Sequence, residues 1–293
     1  MSEHGRAMAA GLGAIALWGA LASLSVAAGP VPPFQMVAMT FALGALVGVV
    51  WARRRGMAWG ALVRWPTRVW ALGIGGLFGY HALYFAALQL APPAEANLVN
   101  YLWPLLIVLL SAPFALDNER TGLRWPHVLG ALLGLAGVAL LALGNGANFA
   151  GRHQMGYLLA LGCAFAWSLY SVLSRRMGEV PTEAIASFCA AAAVLSLGCH
   201  LVFERTVWPA TDGAWLAVVA LGLGPTGGAF YLWDRAVKHG DIRALGALSY
   251  AAPILSTGLL IAFGLAEPSG TLLIAALLVT AGAVLASRDL WAR

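Results

Sequence analysis

The sequence predicts an all-α integral membrane protein, with ten transmembrane helices arranged as two inverted five-helix repeats. Three observations carry that prediction. Of 293 residues, 61% are hydrophobic and only 10% charged, with a mean hydropathy of +0.81, which leaves too little polar surface to coat a soluble globule. Apolar runs of about 20 residues, the length that crosses roughly 30 Å of hydrocarbon, recur along the chain. The second half also repeats the first at a nearly constant offset of 149 residues.

In order, the spans are expected near 7–28, 33–52, 68–90, 93–115, 125–143, 155–177, 182–203, 214–236, 242–264 and 268–287. The first follows Arg6 as a signal peptide would, but its match to a later span argues against cleavage. The third and eighth carry glycine clusters, Gly73 to Gly79 and Gly222 to Gly228, which permit either close packing or a hinge at Gly79 and Gly228. The fourth opens after Pro92-Pro93, where Glu95 complements the helix dipole. The fifth presents Gly130, Gly134 and Gly137, a face that suits either an intramolecular neighbour or a dimer. Connections such as 53–67 and 116–123 are too short for a further domain.

The repeat places Trp18 with Trp167, Pro32 with Pro181, Gly79 with Gly228, Tyr101 with Tyr250 and Pro104 with Pro253. Chance alignment of apolar segments would match Leu and Ala, not Trp, Tyr and Pro in one register. Two units follow, 1–146 and 150–293. An odd number of spans in each inverts the second and puts a binding site at their interface. With the N-terminus inside, 15 of the 17 Lys and Arg fall on cytoplasmic segments, leaving Arg152 and Arg205 outside, so both termini are expected in the cytoplasm. Trp51, Trp59, Trp65, Trp70, Trp125, Trp208, Trp215 and Trp291 lie near span ends, as interfacial anchors do.

The candidate substrate path centres on Asn97-Leu-Val-Asn-Tyr-Leu-Trp-Pro104. Asn97, Asn100, Tyr101 and Pro104 share a helical face, and Pro104 withholds the amide that would bond the Asn100 carbonyl. A bare carbonyl in hydrocarbon costs several kcal/mol unless protein or water satisfies it. Ser249-Tyr250-Ala-Ala-Pro253 repeats the device on the Ser249 carbonyl. Trp18, Trp103, Trp167, Tyr84 and Tyr170 add aromatic surface. His81 is the one ionisable residue expected near mid-depth, and so a functional candidate.

Absences narrow the class. No phosphate-binding G-x-x-x-x-G-K-[ST], H-E-x-x-H or G-x-S-x-G motif occurs. Cys163, Cys189 and Cys199 are odd in number and form no C-x-x-C pair, so neither a disulfide framework nor a metal site is indicated, and no cofactor is expected. The net charge of +5 resides in short connections and reads as topology rather than nucleic-acid binding.

On the doubled five-span unit, the Trp18 and Trp167 positions, the Pro104 and Pro253 helices, and the Glu119-Arg-Thr and Glu267-Pro-Ser turns, the chain resembles the drug/metabolite transporter superfamily with paired EamA domains. Within it, Asn100-Tyr-Leu-Trp-Pro104 is similar to bacterial inner-membrane exporters of aromatic amino acids. Pro268 departs from the usual acidic-basic turn. The resemblance implies a central cavity walled by the first, third, fourth, sixth, eighth and ninth spans, with the fifth and tenth outside. It implies export by alternating access, of aromatic or other neutral amino acids. The tryptophans and tyrosines would stack on the substrate, and Asn97, Asn100 and His81 would meet its polar end. A multidrug cation/proton antiporter is the rival within the fold and would be expected to use a buried carboxylate. A membrane enzyme or structural protein would need a catalytic constellation or partner domain.

Overall fold

Apolar stretches this long satisfy their backbone internally as helices. A computed structural model describes residues 2–115, 123–144, 151–264 and 267–291, among which there are helices and turns but no strand. Seven helices are long and apolar enough to cross a membrane: α1 (Glu3–Ala28), α2 (Pro33–Arg54), α3 (Thr67–Leu90), α6 (Gln154–Arg176), α7 (Ala184–Phe203), α8 (Asp212–His239) and α9 (Ile242–Ala262). Three shorter apolar helices are α4 (Glu95–Leu110), α5 (Trp125–Leu140) and α10 (Gly270–Ala286). The Glu119-Arg-Thr turn and the junction between the repeats lie outside the described residues. Leu46, Leu201, Val202, Phe203 and Leu216 are all at least 60% exposed, a bare apolar surface that suits lipid.

Local chemistry sets the helix ends. Ser2 and Thr211 cap α1 and α8 by accepting from the Gly5 and Ala214 amides, and Pro33 opens α2 where no amide partner exists. Asp241 caps α9, its Oδ1 accepting from the amides of Arg243 at 2.9 Å and Ala244 at 3.3 Å. Burial alone would raise the Asp241 carboxyl. The Arg243 guanidinium, the Ala244 and Arg243 amides and His127 outweigh it and hold the group below its ordinary value. A depressed folded value means the cap stabilises above the unfolded pKa and is lost as pH falls through the folded one. Asp241→Ala is therefore expected to cost about 0.5–2 kcal/mol at neutral pH. The gap from wild type should narrow in acid below about pH 3.9, and thermal unfolding across pH checks this; a pH-independent gap would rule out the charged cap.

Packing pairs the two halves. α5 lies along α10, α2 along α7, α1 along the second half of α8, and α6 along the second half of α3. α4 crosses α9. The fifth helix's glycine face is spent within the chain. A Cβ at Gly130 would stand 2.5 Å from the Gly282 carbonyl, one at Gly137 2.8 Å from the Ala275 carbonyl, and one at Gly134 would enter the Tyr250 ring.

The glycine clusters do more than pack. Gly75–Gly79 in α3 and Gly224–Gly228 in α8 each form a π-helical turn, at positions matched by the 149-residue offset. Such turns leave backbone groups poorly paired and occur at functional bends. Gly73 and Gly76 sit against Phe188 and Tyr170, and Gly227 approaches Gly44, whereas Gly79 has only its own Ile74 carbonyl, 3.8 Å from a built Cβ. Close packing and a π-helical turn thus coexist in the same segments.

Among the expected anchors, Trp59, Trp125 and Trp208 are more than 60% exposed. Trp65 and Trp70 are half-buried within the chain. The Trp65 indole donates to Ser187 Oγ at 3.2 Å and Trp70 packs edge-on against Phe188, because α7 lies against the start of α3. The Trp291 side chain lies outside the described residues. Cys163, Cys189 and Cys199 are unbridged, and no metal-ligand cluster occurs among the described residues.

Candidate functional site: a cavity floored by tryptophan

Where the chain interrupts its helices, it opens a space. α4 turns at Tyr101–Leu102, with Leu102 N–H bonding back to the Val99 carbonyl at 3.1 Å. α9 turns at Ser249–Tyr250. Between these breaks and α1, α2, α3, α6 and α8 lies a cavity of about 760 Å³. It runs from buried Trp103, Trp167 and Phe230 to exposed Ser25, Gly29 and Pro33 at the α1–α2 connection.

The floor is aromatic. Trp18 meets Trp167 at 5.6 Å, Trp103 at 6.1 Å and Trp233 at 5.1 Å between centroids, and Trp167 lies 5.6 Å from Phe230. Most of these contacts are edge-to-face, the arrangement ring quadrupoles favour. Their polar edges are tied down: Trp18 donates to the Pro225 carbonyl at 3.1 Å and Trp233 to Ser171 Oγ at 3.0 Å. Ser168 Oγ lies 2.9 Å from the Trp103 carbonyl, joining α6 to the break in α4.

One wall is polar and neutral. Tyr84 donates to Asn97 Oδ1 at 2.7 Å, Asn100 Nδ2 donates to Tyr80 Oη at 3.0 Å, and the two tyrosine rings stack. Asn100 Oδ1 is buried without a hydrogen-bond partner, a vacancy that asks for an explanation. His81 Nδ1 lies 2.7 Å from the Leu77 carbonyl. A carbonyl only accepts, so Nδ1 carries the proton and Nε2 of the neutral ring remains an acceptor. No described lining residue is Asp, Glu, Lys or Arg.

Of the residues singled out in the sequence, Trp18, His81, Tyr84, Asn97, Asn100, Tyr101, Trp103, Trp167 and Pro253 line this cavity. Tyr170, Ser249 and Tyr250 do not. Tyr170 is one turn from Trp167, but its ring covers Gly76. Tyr250 is wholly buried against Gly134, and Ser249 Oγ bonds the Leu245 carbonyl at 2.7 Å. The Ser249 carbonyl is not bare either, since the Ala252 amide reaches it at 3.1 Å; a tight turn replaces the bond that Pro253 forbids. Pro104 is buried beside Gly246.

Sequence reasoning missed Thr40 on α2, and Pro225, Thr226, Phe230 and the floor-supporting Trp233 on α8. The repeat held the signal for two of these, because the offset carries His81 to Phe230 and Tyr84 to Trp233. The cavity wall includes α2, and Val138 of α5 reaches it, where the resemblance implied neither. A second groove of about 850 Å³ between α2 and α8 is lined by Glu3, Arg55, Glu183, Arg235 and His239. Its charges are those of a solvated surface rather than a neutral pocket.

The family model for the EamA-like transporter family matches residues 5–143 and 154–288. A protein named aromatic amino acid exporter YddG from Ancylobacter novellus is 55% identical over 279 residues, 94% of this chain and 95% of that protein. The protein of the same name from Escherichia coli is 28% identical over 192 residues, covering 62% of this chain and 60% of its own. A solved crystal structure 53% identical in sequence superposes with a TM-score of 0.91, covering 98% of both chains.

Proposed function

Because this chain belongs to the EamA-like transporter family and is a membrane transporter rather than an enzyme, we propose that it exports aromatic amino acids through the tryptophan-floored cavity. One observation carries the reading: a cavity of about 760 Å³ without a formally charged lining residue, aromatic at its floor and amide- and phenol-bearing on one wall. An aromatic amino acid is a zwitterion without net charge and needs an apolar slot for its ring. The tryptophans supply the slot and attract the ammonium through their faces. Asn97, Asn100 and His81 Nε2 supply hydrogen bonds at the polar end, and the unpartnered Asn100 Oδ1 is placed to accept from the ammonium.

The export reading includes ten spans in two inverted repeats, working by alternating access in a bacterial inner membrane. The reciprocal pairing of α1 with α8 and of α6 with α3 supports it, as do the matched π-helical turns. Both termini lie in the cytoplasm, as the arginine imbalance requires, so the cavity opens outward. A tag on either terminus that reacts in sealed right-side-out cells would contradict this orientation.

Counterflow in proteoliposomes with labelled Phe, Trp, Thr, Lys and methyl viologen tests the substrate. Phe and Trp are expected to exchange fastest. Preference for methyl viologen would favour the organic-cation exporter, and no exchange of any would sink both. His81→Leu is expected to lose most Phe counterflow at equal folded yield, whereas His81→Gln, which keeps a donor and an acceptor, retains part of it. Equal rates in the two variants would remove His81 from the hydrogen-bonding role.

A further inference from the structure

Behind the tryptophan floor lies a crevice of only about 10 Å³, lined by residues of α3, α6, the α6–α7 connection, α7 and α8. The 149-residue offset carries part of its lining onto the open cavity: Tyr170 corresponds to Leu21, Ser174 to Ser25, Val180 to Val31 and Asp234 to Phe85. About half of the crevice lining thus falls at positions whose counterparts in the other repeat line the open cavity. What differs is what fills the crevice. Lys238 Nζ lies 2.8 Å from Asp234 Oδ1 and donates to the Val180 carbonyl at 2.8 Å, while Thr182 Oγ1 donates to Asp234 Oδ2 at 2.7 Å. The side chains of Asp234 and Lys238 are 3% and 6% exposed.

We propose that this crevice is the second, closed mouth of the substrate path, and that the Asp234–Lys238 pair, with Thr182 and the Val180 carbonyl, is the latch that holds it shut. The proposal rests on the transport reading above. An ion pair suits a latch because closing it dry sacrifices the hydration of both charges, and opening it to water restores that hydration. Neither state is then heavily favoured, as a bistable gate requires. Tyr170 supports the assignment. Its ring stacks on Trp167 at 5.3 Å, one face of the layer toward the cavity and the other toward the crevice, and its hydroxyl is buried without a hydrogen-bond partner. Opening the mouth would supply that partner.

The test is cysteine accessibility in purified protein whose three native cysteines are replaced, with a soluble maleimide reaching both faces. Ser174→Cys reports the crevice and buried Ser196→Cys on α7 reports general loosening. Asp234→Asn with Lys238→Met removes both charges together, so no lone buried charge remains. Labelling of Ser174→Cys is expected to rise about tenfold, equivalent to ~1.4 kcal/mol, with Ser196→Cys unchanged. Thr182→Val, a milder change that covers the case of a poorly folded double variant, should shift labelling in the same direction by less. No rise at Ser174→Cys in either background, or an equal rise at both reporters, overturns the latch. The measurement uses no substrate. A negative result therefore leaves the counterflow result intact, and failure to exchange aromatic amino acids leaves a positive labelling result standing.

Discussion

Trp167→Ala is expected to produce the largest loss of any single substitution in the cavity, removing about 3–5 kcal/mol of folding stability together with most aromatic amino acid counterflow. Trp167 touches Trp18, Trp103, Trp233, Phe230, Tyr80 and Tyr170, so its removal leaves a hole at the junction of six rings from α1, α3, α4, α6 and α8. The side chain is 4% exposed, and neighbours already held by hydrogen bonds at Trp18 and Trp233 have little freedom to collapse inward. Trp167→Phe separates the two effects: it keeps an aromatic face and most of the volume, so it should recover much of the stability, and a change in the ratio of Phe to Trp counterflow then reports the shape of the slot. Thermal unfolding in detergent and counterflow give the two readings. Normal transport by a Trp167→Ala protein would show that the floor is only a packing core.

Gly130→Ala is expected to destabilise the protein by about 1–3 kcal/mol with no change in substrate preference. The added methyl would meet the Gly282 carbonyl at 2.5 Å and the Ala286 side chain at 2.8 Å. The first of these is backbone, so no rotamer change relieves it and α5 and α10 must move apart. Gly130 lines neither the cavity nor the crevice, which is why selectivity should survive. An unchanged melting temperature would contradict the close contact of α5 with α10 at Gly130.

Much of the site was legible because the sequence states it twice. Trp18 and Trp167 announce the floor in matching register, and Asn97 and Asn100 stand out as amides in an apolar helix. What could not be read was rotation. Trp167 and Tyr170 are one turn apart, yet that spacing turns the second side chain about 60° away, enough to send Tyr170 behind the floor. Ser249 and Tyr250 sit in the turn of α9, where helical periodicity lapses. Phe230 and Trp233 were overlooked because aromatic residues in an apolar span look like core until the repeat pairs them with His81 and Tyr84. The buried Asp234–Lys238 pair was hidden for the opposite reason: charges close to the end of a span read as cytoplasmic, and only the fold shows the α6–α7 connection closing over them.

The central claim is that aromatic amino acids occupy the cavity between the α4 break and the tryptophan floor. Photolabelling with an azido derivative of phenylalanine, followed by peptide mapping, tests it most directly. The expected adducts fall on the Tyr80–Phe85 and Asn97–Trp103 segments and disappear when unlabelled phenylalanine is in excess. Adducts confined to the charged groove around Arg55 and Arg235, or cavity adducts that excess phenylalanine does not displace, would contradict the assignment.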